Sequence, residues 1–130
     1  MTWCLFGTLP PRTGLDQLKD GRAFAALDRT LDRAPSGPEW LREPALADLV
    51  SSVIEAADGD RHLCRLHSFV VMPNHVHVLI TPHRPLYEVT KWIKGVSARR
   101  ANQLLGRTGR PFWQDESFDH WAGHGWSSKR

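Results

Sequence analysis

Two histidines one residue apart carry the clearest chemical potential in this 130-residue chain: His75 and His77 in the segment His75-Val76-His77-Val78-Leu79-Ile80-Thr81. Side chains alternate faces along a strand, so both imidazoles stand on one side while Val76, Val78 and Ile80 stand on the other. The valine side is suited to a core, and the histidine side is expected to look outward. Two imidazoles ~7 Å apart along a strand can converge on one divalent ion. Such an ion can polarise a phosphoryl oxygen and stabilise charge that develops in phosphodiester cleavage. Two ligands alone do not make a metal site, and a pair of solvent-facing histidines on an open sheet face is the plain alternative. His62, His67, His83 and His124 show no comparable pattern and read as surface residues.

A second feature is the placement of charge. The formal net charge is only +3, but Lys91, Lys94, Arg99, Arg100, Arg107 and Arg110 follow one another with no acid between Lys91 and Arg110. Arg84 and Glu88 lie just upstream. Such a run can track phosphates, and Trp92 and Trp113 could stack on unpaired bases, although tryptophans more often close a core. The rest of the composition is that of a folded domain, 41% hydrophobic and 24% charged. Cys4 and Cys64 form no CxxC pair and read as buried thiols in a reducing compartment. No stretch approaches the ~20 apolar residues of a membrane span, and Met1–Pro10 lacks the features of a signal peptide. A cytoplasmic, nucleoid-associated protein is expected.

The elements that must hold these residues follow from periodicity. Thr2–Thr8 reads as a strand stopped by Pro10-Pro11, and the apolar positions between Asp16 and Asp32 lie near helical spacing. Residues Ala34 to Pro38 break the chain. Leu46, Leu49, Val50, Val53 and Ile54 mark an amphipathic helix from about Pro44 to Ala57. Leu63–Met72 reads as a strand whose wholly apolar end, Phe69–Met72, suits a sheet centre. Pro73-Asn74 joins it to His75–Thr81 in a tight hairpin, with Asn74 expected in the left-handed conformation. Leu86 to Leu105 carries one apolar helical face and ends at Gly106. The order strand, helix, strand, strand, helix predicts a ferredoxin-like α+β sandwich, an antiparallel sheet with helices packed on one face. Ala122 to Arg130 has no periodicity and is expected to fray, leaving residues 1–121 as the single domain.

The hairpin Phe69-Val70-Val71-Met72-Pro73-Asn74-His75-Val76-His77-Val78-Leu79-Ile80-Thr81-Pro82 resembles the signature of the REP-associated tyrosine transposases, members of the HUH superfamily of single-strand DNA nucleases. A second block agrees: Trp92-Ile93-Lys94-Gly95, Ala101 to Arg107, and Gly109 to His120, whose Trp113-Gln114 and Asp119-His120 match a W-Q…D-H segment. Weaker echoes lie at Phe24–Asp28 and Gly37–Leu41. The resemblance implies the HUH fold, partners that are single-stranded or hairpin DNA of repetitive extragenic elements, and a Mg2+ or Mn2+ ion held on the scissile phosphate by the residues matching His75 and His77. In the family a tyrosine attacks that phosphate, leaving a 5′-phosphotyrosine and a free 3′-hydroxyl; the covalent link preserves bond energy for rejoining.

That tyrosine follows the W-Q…D-H segment in the family, on a helix that also carries the third metal ligand. Here the sequence reads Ala122-Gly123-His124-Gly125-Trp126-Ser127-Ser128-Lys129-Arg130, and the only tyrosine is Tyr87, which matches no catalytic position. Gln114, Asp115 or Glu116 would replace the third ligand only by coincidence. The expectation is therefore a truncated transposase that keeps nucleic-acid binding and has lost cleavage, its tail the product of a frameshift. A small metal-binding or structural domain is the competing reading.

Overall fold

The computed structural model describes residues 1–8, 37–115, 117 and 119. The helix expected between Asp16 and Asp32, the echo at Phe24–Asp28, Glu116, His120 and the tail from Ala122 lie outside them. Among the described residues the chain forms β1 (Thr2–Cys4), a short 3-10 turn at Trp40–Arg42, α1 (Pro44–Gly59), β2 (Cys64–Val71), β3 (His75–Pro82) and α2 (Leu86–Leu105). The sheet is antiparallel in the order β1-β3-β2. This is the α+β arrangement expected from the order of elements.

Alternation along β3 creates the two faces. Val76 and Val78 are buried and join Leu46, Val50, Val53, Ile54, Val89, Ile93 and Ala101 in one core, with Leu66, Phe69, Val71 and Ile80 packed at its border. Both helices therefore cover the valine face. Pro44 opens α1 at the position where a missing N–H costs nothing. Near the other end of α1, the Asp58 carboxylate accepts a hydrogen bond from Leu66 N–H (2.8 Å), beside the register shift between Leu66 and Ser68. α2 stops where expected: Gly106 takes the left-handed conformation (φ 70°), and the N–H groups of Gly106 and Arg107 close the last turn on Asn102 and Gln103 carbonyls. The Asn102 amide then donates to Arg110 O (2.6 Å), which turns the chain back toward the core.

Three expectations need correction. β2 is an edge strand of the described sheet, not its centre, and Val70 is 45% exposed opposite His77. Its apolar run signals one core-facing side, with Phe69 and Val71 half-buried, not two. Asn74 does not take positive φ; among the described non-glycine residues only His62 does (φ 53°). The hairpin closes instead through Met72 N–H to His75 O (2.8 Å), and the turn carbonyls of Pro73 and Asn74 accept from Leu41 N–H and Leu5 N–H. The first strand is shorter than Thr2–Thr8, but its direction continues: Leu5 bridges Trp113, and Gln114 N–H donates to Cys4 O (2.9 Å).

Both thiols are free and buried, as expected. Burial, with the Asp58 carboxylate adding to it, pushes the Cys64 thiol up from its ordinary 9.0 to about 11. A raised acid pKa means the fold holds a proton that the unfolded chain releases, so the associated stability is present below about pH 9 and is lost between about 9 and about 11. Urea unfolding at pH 8 and pH 10.5 should show that loss in the wild type and a smaller one in Cys64→Ala; equal losses would remove Cys64 as its source.

Candidate metal and nucleic-acid site

β3 places His75 and His77 side by side, ring centroids 4.8 Å apart and planes nearly perpendicular (89°). They share the face opposite the valines, as alternation requires. The face is not open at this end, however. His75 is 1% exposed, and its cross-strand neighbour Cys4 and the adjacent Thr2 are buried as well. His77 is half-buried. The expectation of two outward-looking imidazoles is corrected for His75, because alternation assigns a side chain to a face but says nothing of what lies over that face.

Neighbours that the sequence reading missed orient the rings. His75 Nδ1 lies 2.7 Å from the Asn74 side-chain oxygen, an acceptor, so Nδ1 carries the hydrogen of that bond. His77 Nδ1 shares a hydrogen bond with the Thr2 hydroxyl (2.8 Å). Both rings thus turn Nδ1 to a protein partner, the second-shell pattern that fixes tautomer and orientation in metal-ligating histidines. The local signal for Asn74 was its position directly before the pair; Thr2 lies on another strand and left no local signal.

The two imidazoles supply nitrogen donors, and Mg2+ or Mn2+ held by them would take its remaining ligands as oxygens. Among the described residues no group of three His, Cys, Asp or Glu side chains is assembled to hold a metal. Of the three substitutes considered, Gln114 is buried and Asp115 exposed, while Glu116 lies outside the described residues. Tyr87 is 70% exposed on the first turn of α2, in the helical layer, and the imidazoles occupy the opposite face of the sheet.

The basic run divides into parts with different surroundings. Lys91, Arg99, Arg100 and Arg110 are exposed. Lys94 is not a phosphate tracker in this arrangement: its ammonium donates to Gln114 O (2.6 Å) and Asp115 O (3.1 Å), strapping the segment after Trp113 onto α2. Arg107 lies over the Trp40 ring, 5.1 Å from its centroid. Trp113 is 6% exposed, edge-on to Trp3 and Phe112, and its indole N–H donates to Ser97 Oγ (2.9 Å). The indole closes the core and has little ring surface left to stack on a base. Trp92 is half-buried beside an open groove, with the Arg61 guanidinium 5.7 Å from its ring centroid. None of the described helices is long and apolar enough to cross a membrane.

An antiparallel sheet backed by two helices thus carries an HVH pair on its far face and exposed cations along one helix. A family model described as "Transposase IS200 like" matches residues 41–126, more than half of the sequence, and covers the hairpin, the histidine pair and α2. The chain belongs to the IS200-like transposase family. No curated protein matches it.

Proposed function

We propose that this protein binds single-stranded or hairpin DNA, of the kind formed by repetitive extragenic elements, and that His75 and His77 hold a divalent cation, Mn2+ or Mg2+, at the DNA backbone. The observation that carries this reading is the paired orientation of the two imidazoles, each with Nδ1 on a protein partner, within the segment shared with the transposase family. A bound cation would polarise a phosphoryl oxygen. Asn74 and Thr2 keep the ligating nitrogens aimed, and Lys91, Arg99, Arg100 and Arg110 supply exposed positive charge for phosphates. Tyr87 lies in the helical layer, on the other side of the sheet from the histidines, and among the described residues no tyrosine is beside the pair.

Fluorescence anisotropy with a labelled single-stranded oligonucleotide tests it. Contact with about four phosphates gives a log–log salt slope of roughly −3 on single strands, so affinity should fall about 60-fold for a fourfold rise in salt. A flat salt response, or no binding at low salt, would contradict the DNA reading.

A further inference from the structure

On the outer side of α2, away from the histidines, an open groove of about 520 Å³ runs past Leu63 and Val96, with Trp92 in its wall. Its lining carries Arg61, Arg84, Lys91 and Arg99 and a single acid, Glu88, which lies 3.7 Å from Arg84. Its volume falls in the range of about 300–1,000 Å³ that small-molecule pockets occupy. Arg61 and Arg84 come from the ends of other elements, so the groove's charge exceeds what α2 alone provides.

We propose that this groove is a single-strand nucleic-acid site in which one unpaired base lies on the Trp92 ring while the flanking phosphates meet Arg61, Arg84, Lys91 and Arg99. The proposal takes its class of partner from the DNA reading above and adds where and how the strand is held. Three observations carry it. The Arg61 guanidinium, a planar cation, already lies over the Trp92 ring, so that face accepts a flat group, and Arg61 is exposed and can swing to a phosphate when a base takes its place. Lys91, Gly95 and Arg99 follow at intervals of four residues, and Lys91 and Arg99 are therefore ~12 Å apart along the helix. Gly95 between them leaves the floor of the groove open, since a Cβ there would meet no atom within 4 Å. A half-buried indole in the wall of such a groove is reached by an unpaired base and not by one stacked inside a duplex.

The test uses the full chain, a fluorescein-labelled 20-nucleotide oligothymidylate and a duplex of the same length. Trp92→Ala should weaken single-strand binding about tenfold, as expected for the loss of one stacked base, and Trp92→Phe should restore most of it. Arg61→Ala with Arg99→Ala, both at exposed positions, should reduce the salt slope from roughly −3 to about −1.6, since each lost phosphate contact removes about 0.7. Arg100→Ala with Arg110→Ala, exposed cations outside the groove, should lose less affinity than the Arg61/Arg99 variant and keep a salt slope closer to the wild-type value. If the Arg100/Arg110 variant loses binding while the Arg61/Arg99 variant keeps it, DNA binding stands and the groove assignment falls. Equal weakening of duplex and single strand by Trp92→Ala would overturn the stacked base. Absence of binding by the wild type at low salt removes both readings.

Discussion

Trp113→Ala should cost about 3–5 kcal/mol of folding stability, the range for deleting a buried large aromatic. The native state of a domain this size is stable by only about 5–15 kcal/mol, so the variant should unfold at much lower urea. The indole touches Trp3 and Phe112 edge-on at centroid distances of 6.0 and 4.8 Å and is 6% exposed. Its removal leaves a cavity where the segment after α2 meets β1. It does not orphan Ser97, whose hydroxyl also donates to Ile93 O (2.6 Å). The loss is therefore mainly one of packing, and Trp113→Phe should recover a large part of it. Urea unfolding followed by circular dichroism gives the number. A variant as stable as the wild type but deficient in DNA binding would return Trp113 to the stacking role.

The histidines should respond unequally to truncation. His75→Ala removes a 1% exposed ring and its bond to Asn74, whose side-chain oxygen then sits buried without that donor. Loss of a buried hydrogen-bond partner costs about 1–3 kcal/mol. His77→Ala removes a half-buried ring whose partner Thr2 carries a hydroxyl that can rotate, and it should cost less than about 1 kcal/mol. Unfolding with a chelator present separates these effects from metal binding. Equal, negligible losses would mean that His75 faces solvent after all.

How far these features were legible in the sequence depended on the range of the interaction. The alternation in His75–Thr81 assigned valines and imidazoles to opposite faces, and periodicity alone bounded α2 at Leu86 and Leu105. These are local patterns, set by strand and helix geometry. The partners of Trp113 and Lys94 are Ser97 and Gln114, 16 and 20 residues away, and no local spacing encodes them. Charge was equally ambiguous: the run from Lys91 to Arg110 reads as one basic stripe, but helical rotation turns Lys94 toward the segment after Trp113 and Lys91 and Arg99 toward the groove. Arg61 joins that groove from the turn before β2, too far along the chain for any motif to suggest it.

The central claim, that His75 and His77 form a metal-holding pair, is tested most directly by Mn2+ titration of wild type and His77→Ala, followed by the electron paramagnetic resonance signal of free Mn2+. His77→Ala suits the purpose because the fold should tolerate it. The account predicts saturable binding of one Mn2+ per chain by the wild type, and affinity at least tenfold weaker in the variant. Identical titration curves for the two proteins, or no binding by the wild type, would contradict it.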